Sequence, residues 1–235
     1  MDVALVGMDG MGKGALASSL KAALARDGLT AQIIDLPHYS DLQGVSLFRG
    51  ISRSSKALIE RGVRHGSNRA INVGSLLAAL PVRTARAMTR RAAVRLIVRH
   101  PGIEVDALAH FYARSMARLA KLVAKSLAGP LPRVIVFVTG SPRVALQRIN
   151  ADKTRHGQWK VGDFPHETEH NLASLDRLYR RTVHLLKHHH AHGLELIEVN
   201  GERPVEENTR HILRRMRELE LVPGARHPHR HGERP

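Results

Sequence analysis

Three glycines and a lysine near the start of the chain have the spacing of a phosphate-binding loop. Residues Gly7 to Gly14 read GMDGMGKG. Glycines let the backbone curl with its amides inward, and the lysine can reach the outer oxygens of a polyphosphate. The residues expected to contact these phosphates are Gly7, Asp9, Gly10, Met11, Gly12, Lys13, Gly14 and Ala15. A glycine turn that precedes a helix and binds nothing is the alternative.

One position of the loop departs from the usual pattern. A serine or threonine hydroxyl normally follows the lysine and ligates magnesium, whereas position 14 of this chain is glycine. The loop therefore predicts a polyphosphate ligand and leaves the metal ligands unknown.

The segments on either side of the loop provide the context that a phosphate loop requires. Residues Val3 to Val6 form a short apolar run typical of a buried parallel strand. Residues Ala15 to Leu24 are strong helix formers, with leucines at positions 16, 20 and 24 on one stripe. Strand, loop and helix together favour an α/β domain with the loop at a helix N-terminus.

The form G-x-D-G-x-G-K resembles the thymidylate kinases, which are nucleoside monophosphate kinases, and later segments resemble them too. In that family the loop aspartate, here Asp9, faces the sugar of the acceptor nucleotide. The segment Asp35 to Tyr39 resembles the proline-containing acceptor loop, and Arg99-His100 resembles the end of the third strand. Further similarity covers Val134 to Ile149, Leu194 to Val199 and Pro204 to Leu219, so that the resemblance spans residues 1–221.

The resemblance implies a P-loop NTPase fold, with a doubly wound parallel sheet of about five strands flanked by helices. It implies transfer of the terminal phosphoryl group of ATP to a nucleoside monophosphate similar to dTMP, or to a related small phosphate, with Mg²⁺ as the metal. The catalytic cations would be Lys13, Arg99, Arg148 and Arg155, the last two at or near a lid at about residues 150–165. The acceptor would contact Asp9, Asp35, Pro37, Tyr39 and Arg99.

The match to the thymidylate kinases is incomplete at the metal site. Position 98 is valine where the family has an aspartate that holds the ion through water. With glycine at position 14 as well, Asp9 or Asp35 would have to supply the carboxylate. A catalytically degenerate protein that binds nucleotides or polyanions would show the same two changes.

A second resemblance concerns the loop alone. Polyphosphate kinases of the second type contain G-x-D-x-x-G-K-G, which matches Gly14 better than the thymidylate kinase pattern does. Other landmarks of that family, such as tryptophan-rich segments, are missing, since the single tryptophan is Trp159. A polyphosphate-dependent kinase therefore remains an alternative enzyme.

Positive charge is concentrated in the middle of the chain. Residues 49–125 contain 16 basic and 3 acidic side chains, so they contribute +13 to a net charge of +16. Such a segment could attract nucleic acid, but aromatic residues make up only 3% of the chain and offer few stacking surfaces for bases. We expect a nucleotide and a small phosphorylated substrate as partners, in preference to nucleic acid. A solvated basic surface is the simplest explanation for most of these arginines.

The remaining features predict one soluble domain. No apolar run is long enough to span a membrane and no signal peptide is evident, so we expect a cytoplasmic protein. An apolar stripe from Val105 to Leu127 predicts a long amphipathic helix, and residues 222–235, rich in proline and histidine, predict a disordered tail. Histidine pairs four residues apart, such as His184 and His188, lack a third ligand and give no firm metal site. A homodimer is one assembly that the sequence allows.

Overall fold

The computed structural model describes residues 1–35, 82–100, 131–155, 168–190 and 193–222, together with position 103 and helical positions 51, 54, 57, 58, 61, 74, 77 and 80. For residues 153–155 only the backbone is described. The predicted amphipathic helix at 105–127, the acceptor-loop residues Pro37 and Tyr39, lid residues 156–165 and tail residues 223–235 lie outside this part of the chain.

The described strands form one parallel sheet. They are β1 (Asp2–Val6), β2 (Ala31–Asp35), β3 (Val94–Val98), β4 (Val134–Thr139) and β5 (Glu195–Asn200), in the spatial order β2-β3-β1-β4-β5. β1 and β4 are almost entirely buried, which explains why both read as continuous apolar runs and not as alternating ones. The prediction of a parallel sheet of about five strands is confirmed.

Helices cover both faces of this sheet. They are α1 (Lys13–Arg26), α2 (Pro142–Arg155), α3 (Glu169–His189) and α4 (Val205–Glu218). The connection from β1 to β2 runs toward one edge of the sheet, whereas the connection from β4 to β5 runs toward the opposite edge. Since such crossovers are right-handed, α1 and the α2–α3 pair lie on opposite faces. α1 packs on α4, and α2 packs on α3, in agreement with this arrangement.

The core lies between the sheet and these helices. Phe137, Leu20, Leu172 and Ile212 are fully buried in a single cluster that joins both faces of the sheet. The predicted apolar positions Leu16, Leu20 and Leu24 of α1 are buried, as are Leu172, Leu175, Tyr179 and Leu186 of α3. No helix among the described residues is both long and apolar enough to cross a membrane.

Two local predictions were wrong. The polar composition from Asn150 to Gly162 predicts a loop, but residues 150–155 continue helix α2. The reason is that the chain has no glycine or proline between Pro142 and Gly157, so polar residues alone do not end the helix. The run of arginines from Arg83 to Arg95 predicts one helical stretch, but Arg95 lies in β3, and residues 82–88 before it are helical.

Two arginines of the predicted basic segment have a structural partner at the amino end of the sheet. Arg86 and Arg95 both donate to the carboxylate of Asp2, at the start of β1. The side chains of Arg86 and Asp2 are about nine-tenths buried. Both guanidinium groups therefore have a partner inside the protein, and these two arginines do not support a polyanion-binding surface.

Candidate phosphate-binding site

The loop between β1 and α1 needs glycine at two positions for steric reasons. Gly7 and Gly10 both have positive φ, at 139° and 80°. A Cβ atom at Gly7 would overlap the carbonyl oxygen of Val138, and one at Gly10 would overlap that of Ala145. The phosphate loop therefore packs directly against the backbone of β4 and α2, which fixes its shape.

Lys13 begins α1 and folds back over the loop. Its Nζ donates to the carbonyl oxygens of Gly7 at 2.7 Å and Met8 at 2.9 Å, and the side chain is only 5% exposed. Gly12, in a left-handed conformation, precedes the helix and turns the chain into it. The ammonium group is thus held at the loop, beside the amino end of a helix, where anions are favoured.

Asp9 brings two cations together at the carboxyl edge of the sheet. Its Oδ1 accepts a hydrogen bond from Arg99 Nη2 at 2.7 Å and lies 3.4 Å from Lys13 Nζ. Arg99 directly follows β3 and its backbone N–H donates to the carbonyl oxygen of Leu5 in β1 at 3.0 Å. Lys13 and Arg99, which are 86 positions apart in sequence, therefore share one carboxylate, and the group as a whole retains a net positive charge.

Arg99 has an unusual backbone conformation. Its φ is 61°, one of two positive values at non-glycine positions among the described residues. This left-handed region is disfavoured for a residue with a Cβ atom, and such strain clusters at functional sites. The turn directs the chain sharply away from β3 at the point where the guanidinium meets Asp9.

The next residue, His100, was named in the sequence only as part of the strand-end motif, and its burial was not predicted. It is 1% exposed, and neither ring nitrogen has a hydrogen-bond partner among the described residues. Burial, followed by the nearby charge of Arg86, lowers the pKa of His100 to about 3. The imidazole is therefore neutral at physiological pH.

The residues that could contact a magnesium ion differ from those of a usual phosphate loop. A Cβ atom at Gly14 would meet no atom within 4 Å, so there is room beside the loop where a hydroxyl is usually found. Val98 is 3% exposed and has no oxygen on its side chain. Asp35, the last residue of β2, is the Cα partner of Val98 in the parallel ladder. The carboxylate of Asp35 therefore belongs to the strand next to that of Val98.

A second set of contacts lies on the β4–β5 side of the loop. Met11 is 2% exposed, and Cβ atoms at Gly140 and Gly201 would collide with it. Arg148 Nη1 of α2 donates to the carbonyl oxygen of Gly201 at 2.8 Å, and the backbone N–H of Ser141 donates to the carboxylate of Glu202. The start of α2, the loop after β5 and the phosphate loop therefore meet at Met11.

The predicted site residues fall into three groups. Lys13, Asp9 and Arg99 lie together, and Gly7, Gly10, Gly12, Gly14 and Ala15 form the loop and first helical turn beside them. Arg148 lies on the β5 side, against Gly201, while Arg155 is described only by its backbone, as the last residue of α2. Asp35 ends β2, and Pro37 and Tyr39 are outside the described residues.

Sequence reasoning did not identify Gly140, Gly201 and Glu202 as neighbours of the loop. Only the glycine before Ser141-Pro142 and the turn Gly201-Glu202-Arg203-Pro204 hinted at chain reversals there. No group of three or more metal-ligating side chains is present in the described ranges. His184, one of the paired histidines, instead lies 3.1 Å from a carboxylate oxygen of Glu198.

Comparison with known proteins identifies the fold. No protein-family model matches the chain. No curated protein matches it either. Among solved structures, a deoxyadenosine kinase from M. mycoides with the products dCMP and a flexible dCDP is similar, with a TM-score of 0.61 and 10% identity over 94% of this chain and 100% of that chain. The same enzyme with bound dATP has a TM-score of 0.59 and 12% identity, over 92% and 100% of the two chains.

These similarities establish the architecture, whereas any reaction has to be inferred from the residues of the site. At 10% to 12% identity the shared feature is the α/β P-loop fold, as expected from the sequence. Neither structure is a thymidylate kinase, so the narrower family resemblance rests on the motifs of the sequence.

Proposed function

We propose that this protein is an ATP-dependent phosphotransferase that phosphorylates a nucleoside monophosphate similar to dTMP, or a related small phosphate. The observation that carries the proposal is the placement of Arg99 and Lys13 on either side of Asp9, at the carboxyl edge of the sheet. Ligands of open α/β sheets bind at this edge. One cation belongs to the donor loop and the other to the strand beside it.

The donor is assigned to the loop from Gly7 to Gly14. Its curled backbone and the N-terminus of α1 suit the phosphates of ATP, and Lys13 is close enough to exchange its carbonyl partners for phosphate oxygens. Phosphoryl transfer requires mainly positioned cations and an aligned acceptor, and little covalent chemistry from the protein. Lys13 meets the first requirement on the donor side.

The acceptor is assigned to Arg99. A guanidinium presents two parallel N–H groups that match a phosphate, and Arg99 is about one-third exposed beside the loop. Asp9 holds it in place and, by the family resemblance, would also face the sugar of the acceptor. Asp35, Pro37 and Tyr39 would complete the acceptor side, while Arg148 and Arg155 would approach from α2 and the lid. The deoxynucleotides bound in the similar structures support a nucleoside-type substrate.

The direct test is an assay of phosphoryl transfer with ATP and a panel of nucleosides and nucleoside monophosphates. We expect ADP formation that depends on a monophosphate and that is lost in Lys13→Ala. Transfer to unphosphorylated nucleosides, with no activity toward monophosphates, would contradict the assignment of Arg99 to an acceptor phosphate. The same assay with polyphosphate in place of ATP tests the polyphosphate-dependent alternative.

A nucleotide-binding protein without catalysis is the second candidate, favoured by one observation. Neither Gly14 nor Val98 carries the oxygen that usually helps to hold magnesium in such a site. This candidate predicts ATP binding that depends on Lys13, together with no turnover for any acceptor. The phosphotransferase proposal predicts turnover with at least one acceptor.

A further inference from the structure

Asp9 is an anionic partner of Arg99 at the carboxyl edge of the sheet. Its Oδ1 accepts from Arg99 Nη2 at 2.7 Å, a usual length for a charge-assisted hydrogen bond. A guanidinium binds a carboxylate and a phosphate with the same N–H groups. Asp9 therefore takes a position on Arg99 that a phosphate oxygen could take.

The same carboxylate oxygen also lies near Lys13. The ammonium nitrogen is 3.4 Å from Asp9 Oδ1, and it lies closer to the carbonyl oxygens of Gly7 and Met8, at 2.7 Å and 2.9 Å. A phosphate that binds at this edge thus meets two cations that already have oxygen partners in the phosphate loop. One of these partners, Asp9, is negatively charged and is shared by both cations.

Burial determines which part of this arrangement can rearrange. The side chains of Asp9 and Arg99 are 38% and 32% exposed, and an ion pair exposed to this extent contributes little to stability. A ligand can therefore separate the pair. The carboxylate still stays close to the site, because Gly7 and Gly10 on either side of Asp9 pack against the backbone of β4 and α2 and fix the loop.

We propose that Asp9 is an internal competitor for phosphate at Arg99. The carboxylate has to be displaced before a phosphate can use the full guanidinium, and it then repels the anion that replaced it. Inorganic phosphate has no further part that could gain contacts, so Asp9 keeps its affinity low. A larger phosphorylated ligand can offset the same repulsion by contacts elsewhere in the site. The inference rests on the proposed function, since it concerns the control of the site assigned there to the acceptor phosphate.

A purely structural anchor is the competing explanation for the same contacts. If Asp9 serves only to hold Arg99 in position, loss of the side chain should weaken phosphate binding, because the guanidinium is then less well placed. Internal competition predicts the opposite sign, since removal of a negative charge beside two cations should strengthen phosphate binding. The direction of the change in affinity therefore distinguishes the two explanations.

The test measures the affinity for inorganic phosphate by phosphorus NMR titration of wild type, Asp9→Asn and Asp9→Ala. Asparagine keeps a side-chain oxygen that can accept from Arg99 and removes only the charge. We expect Asp9→Asn to bind inorganic phosphate about tenfold more tightly than wild type, which corresponds to about 1.4 kcal/mol. Asp9→Ala should also bind phosphate more tightly than wild type.

Glu218→Gln is the matched control, because it also removes one negative charge. Glu218 is exposed and is the last of the 14 residues of α4, a helix that begins after the carboxyl end of β5. The helix is about 20 Å long, so Glu218 lies toward the opposite edge of the sheet, beyond the screening length of about 8 to 10 Å. Glu218→Gln should therefore bind inorganic phosphate as wild type does.

A double variant locates the phosphate that gains affinity. If Asp9 competes for Arg99, the gain from Asp9→Asn should be lost in Asp9→Asn/Arg99→Ala, relative to Arg99→Ala alone. Denaturant unfolding of each variant shows that the fold is kept. Asp9→Asn should unfold at the wild-type midpoint, because the side chain is more than one-third exposed.

Two results would overturn the inference. One is equal or weaker phosphate binding by Asp9→Asn than by wild type, including no detectable binding by either protein. The other is a gain in affinity that persists in the absence of Arg99. The proposed function fails separately, if no monophosphate accepts a phosphoryl group from ATP. A tighter phosphate complex of Asp9→Asn that depends on Arg99 would support the competition in that case too.

Discussion

The Arg99 guanidinium donates to Asp9 across 2.7 Å, and the same carboxylate oxygen lies 3.4 Å from the Lys13 ammonium. This contact joins the end of β3 to the loop after β1. It holds an arginine beside the phosphate loop while leaving the group of three side chains with a net positive charge. A phosphate that enters the site would compete with Asp9 for the arginine, or would share it.

The first prediction concerns the acceptor. Arg99→Ala should raise the KM for the monophosphate acceptor at least tenfold, because a charge-assisted contact worth about 1.5 to 3 kcal/mol is lost. The KM for ATP should change much less. The double variant Arg90→Ala/Arg91→Ala removes two exposed arginines outside the site and should change neither value appreciably, since exposed charges are screened within about 8 Å. Equal effects of the two variants would contradict the assignment.

The second prediction uses the left-handed backbone of Arg99. Arg99→Gly and Arg99→Ala both remove the guanidinium, but only glycine relieves the strain at φ 61°. Arg99→Gly should therefore be more stable than Arg99→Ala by about 1 kcal/mol in denaturant unfolding. If alanine is the more stable of the two, the backbone at this position is not strained as described.

Local patterns were sufficient to predict the sheet, the phosphate loop and most helices. Apolar runs such as Val3 to Val6, and the leucine stripe of α1, are short-range signals that packing reinforces. Arg95 was misplaced because charged residues obscured a strand of only five residues, and its guanidinium in fact shares the carboxylate of Asp2 with Arg86.

Contacts between distant segments were harder to predict. The meeting of Asp9 with Arg99 was implied only by a family resemblance, since the two residues are 90 positions apart. The contacts of Arg148 with Gly201, and of Glu202 with the backbone of Ser141, depend on the adjacency of β4 and β5 and have no sequence signature. The burial of His100 likewise has no signature in the neighbouring residues.

The third prediction compares Gly10, which the loop needs for steric reasons, with Gly14, which can be replaced without a clash. Gly10→Ala should disrupt the loop, because φ is 80° and the new Cβ would overlap the backbone of Ala145. We expect a loss of about 2 kcal/mol or more in unfolding free energy and a loss of ATP binding. A Cβ atom at Gly14 would meet no atom within 4 Å, so Gly14→Ser should keep the fold.

Gly14→Ser also tests the metal site. The added hydroxyl supplies an oxygen to a hard cation, so half-maximal activity or binding should need less Mg²⁺ than in wild type. Gly14→Ala, which adds a Cβ atom without the oxygen, is the matched control. An identical Mg²⁺ requirement in the serine and alanine variants would show that position 14 does not face the metal.

The fourth prediction is a pH dependence of stability due to His100. Its pKa is about 3 in the folded protein, lowered by burial, against about 6.5 in the unfolded chain. Below pH 6.5 the unfolded state binds a proton that the folded state does not, so stability falls as the pH is lowered from about 6.5 toward 3. His100→Leu should remove this part of the dependence, which amounts to at most about 1.4 kcal/mol per pH unit.

The measurement is a set of denaturant titrations at several pH values between about 4 and 8. This range spans the pH at which the histidine of the unfolded chain titrates. At pH 8 His100→Leu should be about as stable as wild type, since the ring nitrogens have no hydrogen-bond partner among the described residues. His188→Leu, at an exposed position of α3, should keep the wild-type slope. A slope that is the same in wild type and His100→Leu would contradict the buried neutral imidazole.

The central claim, that the loop from Gly7 to Gly14 binds the phosphates of ATP, is tested most directly by calorimetric titration of ATP into wild type, Lys13→Ala and Lys21→Ala. Lys21 lies in the same helix, two turns beyond the loop, and serves as the matched control. The account predicts that Lys13→Ala weakens ATP binding ten- to a hundredfold, from the loss of about 1.5 to 3 kcal/mol, while Lys21→Ala binds as wild type. Equal affinities of wild type and Lys13→Ala would contradict it.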